Sequence, residues 1–180
     1  MVHRGVVKKP QKGAVPSVLT EKHWKSLVYH NWNNLVDELA KSLIALNEKA
    51  QVLGVVPEYL YIHYLRTSVC NKSPFFRLDY FDEQKWNGNT DCWIYWDAGT
   101  VTDMLYTRMP CVVEKHISDC GRKEAELEAE RLACADILHG IMQKMIQALL
   151  SDAILKSSFD VGDIPVFYGE YMGAAKNLKI

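Results

Sequence analysis

The sequence predicts an α+β fold, a small and mostly antiparallel sheet packed against two long helices and a shorter kinked one. Two stretches, 20–53 and 122–156, repeat apolar residues every three or four positions, the period of a helix with one buried face. Between them, eleven of the nineteen aromatic residues fall from Tyr59 to Trp96, in runs bounded by turn-forming residues. Layering a one-sided sheet on one-sided helices buries the apolar face of each.

Residues 1–18 carry Arg4, Lys8, Lys9 and Lys12, no acidic side chain, and Gly5, Pro10, Gly13 and Pro16. They read as a flexible basic tail ahead of a single globular domain over 19–180. The tail lacks the apolar core of a signal peptide. Its plain reading is a solubilising end, and its sharper reading is an arm that touches an acidic partner or nucleic acid.

The first helix opens at Thr20, a good N-cap, with Glu21 complementing the helix dipole. Its stripe runs through Val28, Trp32, Leu35, Leu39, Leu43, Leu46, Ala50 and Leu53. Gly54 stops it and Pro57 follows. A β-hairpin over 59–70 and 75–82 comes next, turned by Asn71-Lys72-Ser73-Pro74. A four-residue loop pairs Cys70 with Phe75 and, further along, Arg66 with Asp79 and Leu65 with Tyr80. In that register Leu65, Thr67, Val69, Phe76, Leu78 and Tyr80 share an apolar face, and Tyr64, Arg66, Ser68, Arg77 and Asp79 share a polar one. The apolar face is expected to meet Leu35, Leu39, Leu138 and Met145.

Trp86-Asn87-Gly88-Asn89 marks a loop, and short strands are expected near 92–96 and 164–168. A helix over 100–118 is kinked near Pro110, which lacks the donor a helix interior needs. The last helix, 122–156, begins with Glu124, Glu126, Glu128 and Glu130, and its stripe includes Leu138, Ile141, Met145 and Leu149.

With 48 % hydrophobic and 24 % charged residues, the chain has an ordinary globular composition. A formal net charge of −1 argues against a dedicated nucleic-acid binder, which needs clustered cations. No apolar run approaches the roughly 18 residues of a membrane span. Five cysteines (70, 92, 111, 120 and 134) show no Cys-x-x-Cys, so free thiols in a reducing cytoplasm are expected.

No Gly-x-Ser-x-Gly elbow and no glycine-rich phosphate loop occurs. His23, His30 and Asp37 share one helix face, with Asn34 one turn from His30, which suits a metal or proton-transfer site or a solvated flank. Asp136-x-x-His139 loosely resembles the Glu-x-x-His unit of helical-bundle di-iron sites, which need it twice with two further glutamates, and it reads as a local surface pair. His116, Asp119 and Cys120 lie within one helical turn but carry no recognisable signature. No metal and no cofactor is expected. The main candidate site is the polar hairpin face of Tyr64, Arg66, Arg77 and Asp79, with His30, Asn34 and Asp37 a weaker set. The expected function is that of a non-enzymatic cytoplasmic protein that binds a protein partner or self-associates. The alternative is a small-molecule-binding protein or enzyme that uses one of these two faces.

Overall fold

The first apolar stripe folds as two helices rather than one. The computed structural model describes residues 21–71, 76–82, 91–99, 124–157 and 164–178. Helix α1 spans Glu21–His30 and α2 spans Trp32–Leu53. Asn31 interrupts them at φ −106° and ψ 13°. Its side chain donates to the Leu27 carbonyl at 2.8 Å, and its backbone N–H is shared between the Leu27 and Val28 carbonyls at 3.1 and 3.2 Å. Asparagine disrupts helices in this way, by offering the backbone a local alternative bond. The stripe keeps its phase across the break, and Val28, Leu35, Leu39, Leu43, Leu46 and Ala50 are all buried. Gly54 ends α2 in the left-handed region at φ 67°. Its N–H donates to the Gln51 carbonyl at 3.2 Å while Val55 N–H reaches the Ala50 carbonyl at 2.9 Å, which closes the helix with two paired carbonyls.

The fold is α+β. After α2 come β1 (Tyr59–Tyr64), α3 (Arg66–Asn71), β2 (Phe76–Phe81) and β3 (Trp93–Trp96). Helix α4 (Glu124–Ser157), β4 (Val166–Glu170) and β5 (Ala175–Leu178) complete the described elements. The sheet order is β3-β2-β1-β4-β5, antiparallel except where β4 lies parallel to β1. Strand β5 is an addition to the sequence reading. The tail over 1–18 and the kinked helix over 100–118 lie outside the described residues.

The strand pairing corrects the expected register. Tyr80 pairs with Leu60 rather than Leu65, and Asp79 pairs with Tyr61 rather than Arg66. The offset is five residues, an odd number, so every β1 side chain changes face. The cause is that β1 stops at Tyr64 and residues 66–71 curl into α3, with Ser68 N–H closing on the Leu65 carbonyl at 3.2 Å. Local propensity would have extended Thr67 and Val69; the parallel β4 partner and the aliphatic pair Leu60 and Ile62 outweigh it.

Leu60, Ile62, Tyr64, Phe76, Leu78, Tyr80, Trp96, Val166 and Tyr168 form the inner sheet face and join one core with α2 and α4. Leu35, Leu39 and Leu138 sit in that core, while Met145 packs at its margin and Leu65 is buried beside it. Trp32 Nε1 donates to Asp152 at 2.7 Å, and Lys156 pairs with Asp37, so the start of α2 is tied to the end of α4.

Gly169 is required by close approach. A Cβ there would stand 2.3 Å from the Ala174 carbonyl oxygen and 2.6 Å from Ala175 Cα, both rigid backbone atoms of the β4–β5 turn. Gly169→Ala should therefore cost about 3 kcal/mol, at the severe end for point mutants. Urea denaturation should show that loss, whereas Val52→Ala, at an 86 % exposed position, should change stability by less than about 0.5 kcal/mol.

Candidate functional site

Alternation along the strands gives the sheet a second, outer face opposite α1, α2 and α4. It carries Tyr59, Tyr61 and His63 from β1, Arg77, Asp79 and Phe81 from β2, Trp93 and Tyr95 from β3, and Phe167 from β4, read from the cross-strand partners. At its centre Asp79 is 3 % exposed, a burial that an ionised carboxylate tolerates only when paired. Arg77, two residues along the same strand, supplies the pair. Its Nε donates to both carboxylate oxygens at 3.0 and 2.8 Å and its Nη2 donates to Oδ1. Burial pushes the Asp79 carboxyl up, against the opposing pull of Arg77 and, more weakly, Lys49.

The Arg77 guanidinium rests against two rings, 4.4 Å from the Trp93 centroid and 5.0 Å from that of Tyr171. Lys49, from α2, lies 5.0 Å from the same Trp93 ring and donates to the Trp93 carbonyl at 2.9 Å. Tyr171 follows β4 directly, and its N–H donates to the Tyr64 carbonyl at 3.0 Å. Because Gly169 stands opposite His63 in the parallel pair, no β4 side chain occupies that place on the outer face. Tyr171 fills it, edge-on to His63 at 5.3 Å.

His63 is 8 % exposed, stacked on Tyr61 at 5.3 Å, and neither ring nitrogen has a hydrogen-bond partner. Its Nε2 stands 3.5 Å from Asp79 Oδ2, beyond good hydrogen-bond length, and that oxygen already accepts from Arg77. Proximity to a carboxylate would favour a charged imidazole. Burial, reinforced by the facing Arg77, dominates and brings the pKa down to about 4. His63 is therefore neutral at pH 7, and its unmet nitrogens are the largest polar debt of the face. Tyr61 also stacks on Phe167 at 4.7 Å and meets Phe81 edge-on at 5.2 Å, so the imidazole stands in an aromatic wall.

The structure divides the residues singled out in the sequence. Arg77 and Asp79 converge on the outer face. Tyr64 points inward and stacks on His139 at 4.3 Å. Arg66 opens α3 and donates to both oxygens of Asp136 at 2.8 Å, with Glu170 3.8 Å away. His139 is no surface partner of Asp136: its Nδ1 shares a 2.9 Å hydrogen bond with the Tyr168 hydroxyl, and burial lowers its pKa. Of the weaker set, His30 Nδ1 donates to the Ser26 carbonyl at 2.7 Å within its own helix, Asn34 is exposed, and Asp37 pairs with Lys156. Tyr61, His63, Trp93 and Tyr171 join the site unannounced. The alternation of Leu60 and Ile62 against Tyr61 and His63 is the signal that could have placed the first two.

Among the described residues, no group of three or more His, Cys, Asp or Glu side chains could hold a metal ion. No described helix is long and apolar enough to cross a membrane. Comparison of the chain with protein-family models, with curated proteins and with solved structures finds no match.

Two outcomes follow from the charges. His63 binds its proton more weakly folded than unfolded, so the unfolded chain takes up protons first as pH falls from 6.5 toward 4. Stability should be full above pH 6.5 and fall by about 2 kcal/mol between pH 7 and 5 from this residue, with His139 acting in the same direction. Denaturant midpoints at the two pH values measure it, and His63→Phe should flatten the dependence. Arg77→Met, which strands the Asp79 carboxylate, should cost about 3 kcal/mol, and adding Asp79→Leu should recover most of that loss in a double-mutant cycle.

Proposed function

We propose that this is a non-enzymatic binding protein that recognises a protein partner through the outer face of its sheet. The observation that carries the reading is the division of the sheet. Helices α1, α2 and α4 join the core on the inner face, while the outer face holds Tyr95 and Tyr171 at 47 % and 41 % exposure around a fixed Arg77. Tyrosine, tryptophan and arginine are the side chains that dominate binding energy at protein interfaces. Here Arg77 and Trp93 are already immobilised by Asp79 and Lys49, so little side-chain entropy is left to lose on binding. A cytoplasmic location fits the buried free thiol of Cys92, whose environment raises its pKa and keeps it unreactive. The His30, Asn34 and Asp37 face offers no comparable convergence.

Matched baits test the proposal. Wild-type protein, the outer-face variant Tyr95→Glu and the helix-face control Asn34→Ala are each immobilised in lysate from the source cells. Captured proteins are quantified by mass spectrometry. A partner held in near-stoichiometric amount by wild type and control, and lost at least about tenfold by the outer-face variant, supports the reading. Capture that is equal on all three baits, or absent from all, overturns it.

A further inference from the structure

We infer that Tyr171 occupies, in the free protein, a slot beside His63 and Arg77 whose intended guest is a tyrosine or tryptophan side chain of the partner. The inference rests on the reading of the outer face as a recognition surface, and it specifies the partner's chemistry. Three observations carry it.

First, the slot is built for a ring. Trp93 holds one contact of the Arg77 guanidinium at 4.4 Å, and the second contact is supplied by Tyr171 at 5.0 Å, from the turn after β4 rather than from a strand. A cation fixed by Asp79 keeps its attraction for whichever aromatic ring lies against it.

Second, Tyr171 is weakly held. It is 41 % exposed, and the following Met172 is 87 % exposed and lies at φ 62°, where a side chain with a Cβ is disfavoured. The turn is held by the backbone bonds from Tyr171 N–H to the Tyr64 carbonyl and from Gly173 N–H to the Glu170 carbonyl, at 3.0 and 2.9 Å. Rotation of the Tyr171 side chain out of the slot leaves both bonds intact.

Third, Tyr171 leaves His63 unsatisfied. The tyrosine ring meets the imidazole edge-on at 5.3 Å and gives neither nitrogen a hydrogen bond, although His63 is more than nine-tenths buried. A neutral imidazole offers one lone pair as an acceptor. A phenol O–H or an indole N–H entering from the partner would satisfy it while its ring took the place against Arg77. The guest thus gains what Tyr171 has, plus one buried hydrogen bond that Tyr171 does not make. Other charged groups around the imidazole are Asp79 and Arg77 on β2, with Lys49 acting on Asp79 from α2.

The test uses side-chain analogues and the full chain. p-Cresol, indole and toluene are titrated into the wild-type protein, Tyr171→Ala and His63→Phe, with binding read in NMR spectra from the ring resonances of Trp93 and, where it is present, His63. p-Cresol and indole should shift those resonances and bind about tenfold more tightly than toluene, which carries no donor. Tyr171→Ala, which removes the internal competitor, should tighten all three. In His63→Phe the preference for p-cresol over toluene should vanish. Absence of binding to both wild type and Tyr171→Ala, or toluene binding as tightly as p-cresol, overturns the inference. The two levels fail separately. A partner lost by Tyr95→Glu with no analogue binding leaves the recognition face standing and removes the slot, whereas face-independent capture removes the recognition face whatever the analogues do.

Discussion

A carboxylate buried in a β-sheet must be neutralised where it stands, and the outer half of this molecule is organised around that requirement. Asp79 is almost fully enclosed. Arg77, two residues earlier on the same strand and face, reaches forward along the strand to pair with both of its oxygens. That contact brings the guanidinium over Trp93 and Tyr171 and positive charge toward His63. Burial, reinforced by that charge, keeps the imidazole neutral, and its Nε2 stands 3.5 Å from Asp79 Oδ2 without a good hydrogen bond. One ion pair thus seats Trp93, offers Tyr171 a cation to rest against and helps keep a third ring neutral.

The inner face makes this arrangement affordable to the fold. Helices α2 and α4 share a continuous core with Leu60, Ile62, Phe76, Leu78 and Tyr168. At roughly 25 cal/mol per Å² of apolar surface, burying side chains of this size outweighs the penalty of one imperfectly paired polar cluster. The same pairing that puts Leu60 and Ile62 inside puts Tyr61 and His63 outside, so core and site are two consequences of one strand register. Gly169 links them further. Backbone crowding from Ala174 and Ala175 demands glycine there, and the vacancy it leaves opposite His63 is what Tyr171 fills.

Much of the architecture is legible in the sequence because helix periodicity is a strong local signal. The stripes along 20–53 and 122–156 place both long helices, and Gly54 marks the end of α2. The break at Asn31 is less visible, since it depends on a side chain bonding its own helix backbone. On β2 the alternation alone separates Phe76, Leu78 and Tyr80 from Arg77 and Asp79, and the structure keeps that division. Strand β1 differs because a turn-like sequence at Asn71 does not reveal that the chain leaves the sheet at Tyr64. Charge complementarity between Arg66 and Asp79 is a misleading guide there, as Arg66 finds Asp136 on a helix seventy residues away in sequence. The role of Tyr171 is illegible locally: it depends on a parallel pairing between segments more than one hundred residues apart.

The central claim is that a buried, neutral and unbonded imidazole sits at the heart of the proposed recognition face. The ¹⁵N and ¹H resonances of the His63 ring, followed by NMR from pH 8 to pH 4 in the intact protein, test it most directly. The account predicts a single neutral ring through pH 5, with protonation only as pH nears about 4. A His63 that protonates at or above its ordinary value of 6.5 and shows the shifts of an imidazolium bonded to Asp79 would contradict it.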